Sequence, residues 1–268
     1  MIRSAVVAGA FYPENKTILE TELEKLIHFS NTKRKVIGLI SPHAGYIYSG
    51  SCAGKGFGAV KIPDTVIILG VNHHGFGHPC AVDGHDFWST PLGDVEVDYQ
   101  LREKLVSNSR IFDSDSTAGN EEHSLEVQVP FIQYINPKAK ILPIIISSGD
   151  VNQLMAGGKE IARLIRNNTD SDILMVASSD MSHFVDAKSA KLKDDKAIDQ
   201  ILKLDPQGLF DTVAAERISM CGVSPATMML SAAVELGAQN AEIIEYTHSG
   251  TVSGDNDRVV AYLSMTIY

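Results

Sequence analysis

The sequence predicts an α/β fold: a single domain with a mostly parallel mixed sheet covered by helices. Four runs of apolar, β-branched residues, at 35–40, 64–70, 140–147 and 172–178, lack polar alternation, as strands buried on both faces do. Segments with apolar residues at helical spacing lie between and after them. The 268 residues contain no linker, short repeat or composition break, so 1–268 is read as one domain.

Taken in order, "KVIGLI" (35–40) runs into "SPHAGYIYSG", followed by a weak helical pattern at 51–60. "DTVIILG" (64–70) runs into "GVNHHG", and further weak helical patterns cover 98–107 and 120–135. "KILPIIIS" (140–147) ends in "SSGD", which helix capping explains: Asp150 is an N-cap and Gln153 takes the reciprocal position. In 150–166, Val151, Leu154, Met155, Gly158, Ile161, Ala162 and Ile165 share one helical face. "DILMVAS" (172–178) runs into "SSDMSH". Ala190, Ala197, Ile198, Ile201 and Leu204 form the apolar face of 188–204, with weaker helices at 206–215 and 224–237. The tail, "AEIIEYTHSG" then "DRVVAYLSMTIY", reads as two antiparallel strands around a polar turn.

Composition narrows the function classes. An apolar fraction of 44% and a charged fraction of 21% describe an ordinary globular chain. The net charge is −10 and the longest basic run is "KRK", which excludes a nucleic-acid footprint and attraction to anionic membranes. No apolar run reaches the ~20 residues of a membrane helix. The apolar patch at the N-terminus soon meets Pro13 and Glu14, unlike a signal peptide, so a cytoplasmic location is expected. Cys52, Cys80 and Cys221 are widely separated and odd in number, which argues against a disulfide framework.

In open α/β sheets, ligands gather beyond the carboxyl ends of the strands. Three of the four predicted ends carry imidazole or carboxylate: His43 after the first, Asn72, His73 and His74 after the second, Asp180 and His183 after the fourth. With nine histidines in the chain, this convergence is the strongest functional signal. His123 and Glu126 in "NEEHSLEVQVP" share a face if that segment is helical. Cys221 precedes a glycine and a predicted helix, where a thiol is open to activation. His28, His78, His85, His248, Cys52 and Cys80 read as structural. Gly45, Gly50 and Gly54 lack the Lys-Ser/Thr of a phosphate loop.

"SPHAGYIYSG", "ILGVNHHG", "STPLGDVEVD", "EEHSLEVQVPF", "SSDMSH" and "CGVSP" occur in the order and approximate spacing of the Memo family, after "AGAFYP" near the start. The resemblance covers essentially the whole chain. It implies a fold like that of class III extradiol dioxygenases, with His43, His73 and Cys221 as metal ligands and Asp180 close by. In the ring-cleaving relatives two histidines and a carboxylate hold iron; here Cys221 stands where that carboxylate would be, so their reaction does not transfer directly. Two imidazoles and a thiolate suit iron, copper or zinc, iron being the first expectation.

Asp180, His183, His123 and Glu126 are the expected acid–base or ligand-orienting residues. The resulting expectation is a metal-dependent, dioxygenase-like redox enzyme acting on an unidentified small molecule. Two alternatives stand beside it: a peptide- or ligand-binding module that keeps the pocket, and a hydrolase or transferase using Cys221 as nucleophile. Prokaryotic family members are often labelled as the B component of the AmmeMemoRadiSam system, which implies AMMECR-like and radical-SAM partners.

Overall fold

The computed structural model describes residues 1–30, 33–107, 109–147, 149–168 and 172–268. Ser148, in the predicted "SSGD" strand end, lies outside them. The strands are β1 (Ile2–Arg3), β2 (Gly38–Ser41), β3 (Thr65–Val71), β4 (Cys80–Val82), β5 (Phe87–Thr90), β6 (Gly93–Glu96), β7 (Asp113–Ser114), β8 (Lys140–Ile146), β9 (Ile173–Ser178), β10 (Asp180–Val185), β11 (Ala241–His248) and β12 (Val259–Ile267). The helices are α1 (Lys16–Leu26), α2 (Tyr46–Ala59), α3 (Tyr99–Val106), α4 (Val129–Ile135), α5 (Val151–Asn167), α6 (Ala187–Leu202), α7 (Pro206–Ala215), α8 (Val223–Glu235) and α9 (Gly250–Ser253).

The main sheet runs β10-β12-β2-β9-β3-β8-β4-β7, with β11 on the other side of β12. Its centre, β2-β9-β3-β8, is parallel. These are the four apolar runs of the sequence. Antiparallel strands flank them: β4 on β8, and β12 on β2. The two tail strands pair antiparallel as expected, with the short helix α9 inside the link predicted as a turn. β1, β5 and β6 form a separate small sheet.

The pleat divides the core between the two faces of the sheet. On β3, Ile67 and Leu69 join a cluster with Leu154 and Ile161 of α5 and Met228 and Leu230 of α8. Val66 and Ile68 face the opposite cluster, with Leu19 and Leu23 of α1, Phe57 of α2 and Phe131 of α4. Burial on both faces is the physical reason for the missing polar alternation. Asp150 caps α5 by accepting from the amides of Asn152 and Gln153. No helix among the described residues is long and apolar enough to cross a membrane.

Two predicted elements take a different form. The 120–135 segment is irregular up to a 3-10 turn at Glu126–Gln128, and α-helix begins only at Val129. The fourth run does not end in a loop: one residue after β9 the chain enters β10, which pairs with β12.

Candidate metal centre

Parallel alignment brings the carboxyl ends of β2, β9 and β3 side by side, with Ser41 opposite Ser178 and Leu69 opposite Ala177. His43, Asp180 and His73 each lie two residues beyond their strand, so the register delivers all three to one edge of the sheet. The loop before α4 completes the cluster from above. Ser124 Oγ accepts from the Val71 amide at 3.0 Å and donates to the Val71 carbonyl at 3.2 Å, seating that loop on the end of β3. This seat requires Gly70, where a Cβ would lie 2.3 Å from Leu125 Cδ1 and 2.8 Å from Ser124 Oγ.

One ring nitrogen each from His43, His73 and His123 lies within 4.8 Å of the others, a grouping compatible with one metal ion. The His73 and His123 rings stack at 4.7 Å between centroids, and both meet His43 edge-on. Hydrogen bonds orient two of the rings, buried at His43 and part-buried at His73, which is itself exposed. Ser178 Oγ donates its single proton to the Ser124 carbonyl (2.6 Å), so it accepts from His43 Nδ1 at 3.0 Å. His43 therefore carries its proton on Nδ1 and keeps Nε2 as the unprotonated ring nitrogen. Gln128 Nε2 donates to both Ser178 Oγ and the Pro42 carbonyl at 2.9 Å, bracing that arrangement.

His73 Nδ1 meets Glu122 Oε1 at 2.8 Å, while the His73 amide donates to Oε2 at 2.7 Å and the Ser124 amide to Oε1 at 2.8 Å. Burial alone would raise the Glu122 pKa. The ring hydrogen bond and charge of His73 and the two amides outweigh it, holding the carboxyl at about 2. His73 Nε2 is thus also directed away from its support. Burial, then the charge of His73, lowers His43 to about 3; burial, then the charge of His43, lowers His123 to about 4. Both rings are neutral at physiological pH, the form in which imidazole ligates metals.

The grouping differs from the sequence expectation in its third arm. His123, expected as an acid–base residue, supplies the third imidazole. Cys221 meets the group at His43, its Sγ 3.2 Å from Nε2. Gly222 permits this approach: a Cβ there would lie 2.4 Å from the Ser178 carbonyl oxygen. Asp180 is buried and accepts from the His43 amide at 2.8 Å, fixing the backbone that carries the ring. Burial raises its pKa to about 6, against the His43 hydrogen bond. His183 lies at the edge, where its Nδ1 meets the carbonyls of Met181 and Ser219.

His74 is not a member of the group and stacks on Phe76. The Asn72 side chain closes this loop, accepting from the Gly75 amide and donating to the Phe76 carbonyl.

Glu126 is the clear correction among the expected acid–base residues. Because 120–125 is irregular, His123 and Glu126 do not share a helical face. The Glu126 carboxylate is buried and occupied by Arg3 Nη1, the amides of Val6 and Val7 and the Tyr12 hydroxyl. Sequence reasoning also missed Glu122, Ser178 and Gln128. The first stands in the quoted "EEHSLEV" block, but its partner is 49 positions away, beyond any local pattern.

Proteins of similar sequence match this chain over nearly its whole length. A family model for Memo-like proteins matches residues 3–266. The chain belongs to the Memo family. A MEMO1 family protein of Methanococcoides burtonii is 39% identical over 268 residues, covering 99% of this chain and 100% of that protein. One of Aquifex aeolicus is 39% identical over 266 residues, covering 98% of each. Among solved structures, an uncharacterized protein of Escherichia coli K12 shares the fold at a TM-score of 0.50 and 14% identity, covering 85% of this chain and 99% of that one.

Proposed function

We propose that this Memo-family protein is a mononuclear transition-metal oxidoreductase, dioxygenase-like in its site, acting on a small molecule. His43, His73 and His123 would hold the ion, with Cys221 as a fourth donor. The carrying observation is the pair of hydrogen-bonded ring locks, Ser178 on His43 Nδ1 and Glu122 on His73 Nδ1, in a group whose three rings each bring one nitrogen within 4.8 Å of the others. The locks would leave Nε2 as the ligating atom. Supported Nδ1–H groups are the usual partners of metal-ligating histidines. Cys221 Sγ, 3.2 Å from His43 Nε2 and outside the group of three mutually close nitrogens, would join the ion from the His43 side.

Imidazoles with a thiolate favour iron, copper or zinc over magnesium and calcium, and iron is our first choice. When bound, such an ion supplies Lewis acidity and, for iron or copper, electron transfer. The surrounding residues do the rest. Ser178 and Glu122 hold the ring orientations, and Asp180, at about 6, is able to take or give a proton near neutral pH. His183, its Nδ1 against the Met181 and Ser219 carbonyls, would orient the edge of the site.

The Cys221-nucleophile alternative has less support, since burial and then the Asp180 charge push that thiol well above its ordinary value. A binding module remains the second reading, favoured by exposed Ile47, Tyr48, Phe76 and Phe184 on the segments that follow the site residues. Partnership with AMMECR-like and radical-SAM proteins is carried only by family association.

The test is elemental analysis of anaerobically purified protein. About one iron, copper or zinc per chain is expected, with strong depletion in His43→Ala, His73→Ala and His123→Ala and weaker retention in Cys221→Ser. A wild-type chain that holds none of these metals and takes none up overturns the proposal.

A further inference from the structure

The chemistry assigned above leaves a buried charged group unused: Arg3, 2% exposed, at the end of the small-sheet strand β1. Its guanidinium grips the loop that carries Glu122 and His123 at three separate points. Nε donates to the Gly119 carbonyl at 2.7 Å, Nη2 to the Glu122 carbonyl at 2.7 Å, and Nη1 to Glu126 Oε2 at 2.7 Å. The Trp88 ring lies against the guanidinium at 4.1 Å, and Trp88 in turn donates to the buried carboxylate of Asp83.

Glu126 binds the grip back to the N-terminal segment through the Val6 and Val7 amides and the Tyr12 hydroxyl. Phe11 of that segment packs its ring 4.8 Å from His123. Its carbonyl also accepts from the Tyr46 amide at 2.8 Å, just beyond His43.

Resting on the metal-centre reading above, we propose that Arg3 is a positioning residue of that centre. Its guanidinium fixes the 119–126 loop, and thereby both the His123 ring and the carboxylate that orients His73. The reason lies in what the segment lacks. Residues 119–125 have no helix or strand of their own to hold them. Two ligand-determining side chains in succession, Glu122 and His123, therefore depend on anchors from elsewhere. Ser124 anchors the loop to β3 from one side; Arg3 supplies the other. A planar fork with divergent donors meets two carbonyls and a carboxylate together, whereas an ammonium of different reach does not.

The experiment uses the full chain, stripped of metal with a chelator, and titrates cobalt(II) as the probe. Arg3→Lys keeps the charge beside Glu126, and the pair Arg3→Met with Glu126→Gln removes both charges, so neither leaves a buried carboxylate unpaired. Far-ultraviolet circular dichroism and a cooperative melt establish that each variant folds. Cobalt affinity should fall about tenfold, the low end for groups supporting a ligand, with an altered visible spectrum. Amide exchange across 119–126 in the metal-free protein should accelerate.

Arg3→Lys should melt lower but still cooperatively, and its weak binding should come with the altered cobalt spectrum, a change at the centre that a purely structural role would not produce. Folded variants with wild-type cobalt affinity, or with unchanged exchange across 119–126, overturn the assignment. If the wild type itself takes up no cobalt, the metal reading fails, and the exchange rates alone decide whether the loop depends on Arg3.

Discussion

At the scale of single residues, the site is a set of groups whose titration is displaced from its range in water. His43 and His123 are lowered to about 3 and about 4 from the ordinary 6.5. Between those values the unfolded chain binds protons that the folded chain refuses. The stability they contribute is therefore complete above about 6.5 and is lost as pH falls toward 4 and then 3. Glu122 acts in the same direction: lowered from 4.5 to about 2, it contributes above its ordinary value and loses that contribution as acid protonates it. Asp180 opposes them. Raised from 3.8 to about 6, it contributes most below its ordinary value, and its contribution is lost as pH rises through 6. Glu122 acts only below 4.5, so between pH 6.5 and 4 the two histidines stand against Asp180 and the buried Asp194. Because both histidines are displaced through the whole window, the melting temperature should fall. Asp180→Asn, which keeps an oxygen for the His43 amide, should steepen that fall. Melts across this range test both statements; a protein that gains stability on acidification would contradict the neutral-imidazole arrangement. Glu122→Gln is the sharper probe of ring orientation. It leaves His73 Nδ1 without an anionic acceptor, and a roughly ten- to hundredfold loss of cobalt affinity is expected. Equal affinity in a calorimetric titration would show that the carboxylate does not orient a ligand.

The secondary-structure elements explain which parts of this arrangement the sequence revealed. β2, β3, β8 and β9 lie in apolar runs buried on both faces, and the ends of all but β8 carry the histidine and aspartate positions that stand out on a plain reading. β1, β4 and β7 have only two or three residues each and leave no periodicity to detect. α1 escaped because charged residues interrupt its apolar face; only Leu19 and Leu23 are buried. The segment before α4 misled for a different reason. Helical spacing appeared to place His123 and Glu126 together, but hydrogen bonds to β3, Arg3 and the N-terminal amides override local spacing and send the two apart. Supports such as Ser178 and Glu122 are legible only once distant strands are in register. β10 shows the same dominance of context. Its pairing with β12 shifts register on both sides of His183, and Phe184 takes φ 58° while remaining exposed, its ring 4.9 Å from the Arg258 guanidinium. A left-handed backbone costs a residue with a Cβ roughly 1–2 kcal/mol, and glycine escapes that cost. Phe184→Ala and Phe184→Gly lose the same aromatic contact, so their difference isolates the backbone. Glycine should be the more stable by about 1 kcal/mol, measured as a shift in urea midpoint. The reverse order would mean that the bulge relaxes without strain.

At the scale of the whole molecule, the cluster ties together parts of the chain that meet only in the folded state. His43 follows β2, His73 follows β3, Ser178 ends β9, and His123 and Glu122 come from a loop clamped between the main sheet and the N-terminal segment. No local piece of the chain assembles the three rings, so an ion that binds them binds the native state almost alone. By mass action, ligand at a hundred times its dissociation constant then stabilises the fold by about 2.7 kcal/mol. For a domain of this size each kcal/mol moves the melting temperature by roughly 2–4 °C. Cobalt(II) at that excess should therefore raise the melting temperature of the stripped protein by roughly 5–10 °C. The shift should disappear in His43→Ala and His123→Ala, whose surfaces otherwise offer the ion the same adventitious contacts. Differential scanning calorimetry with and without metal, on wild type and both variants at pH 7.5, makes the comparison. A shift that survives loss of either ring would place the ion elsewhere. A wild-type protein that does not respond would mean that three imidazoles brought together by separate stretches of chain serve the fold rather than a metal.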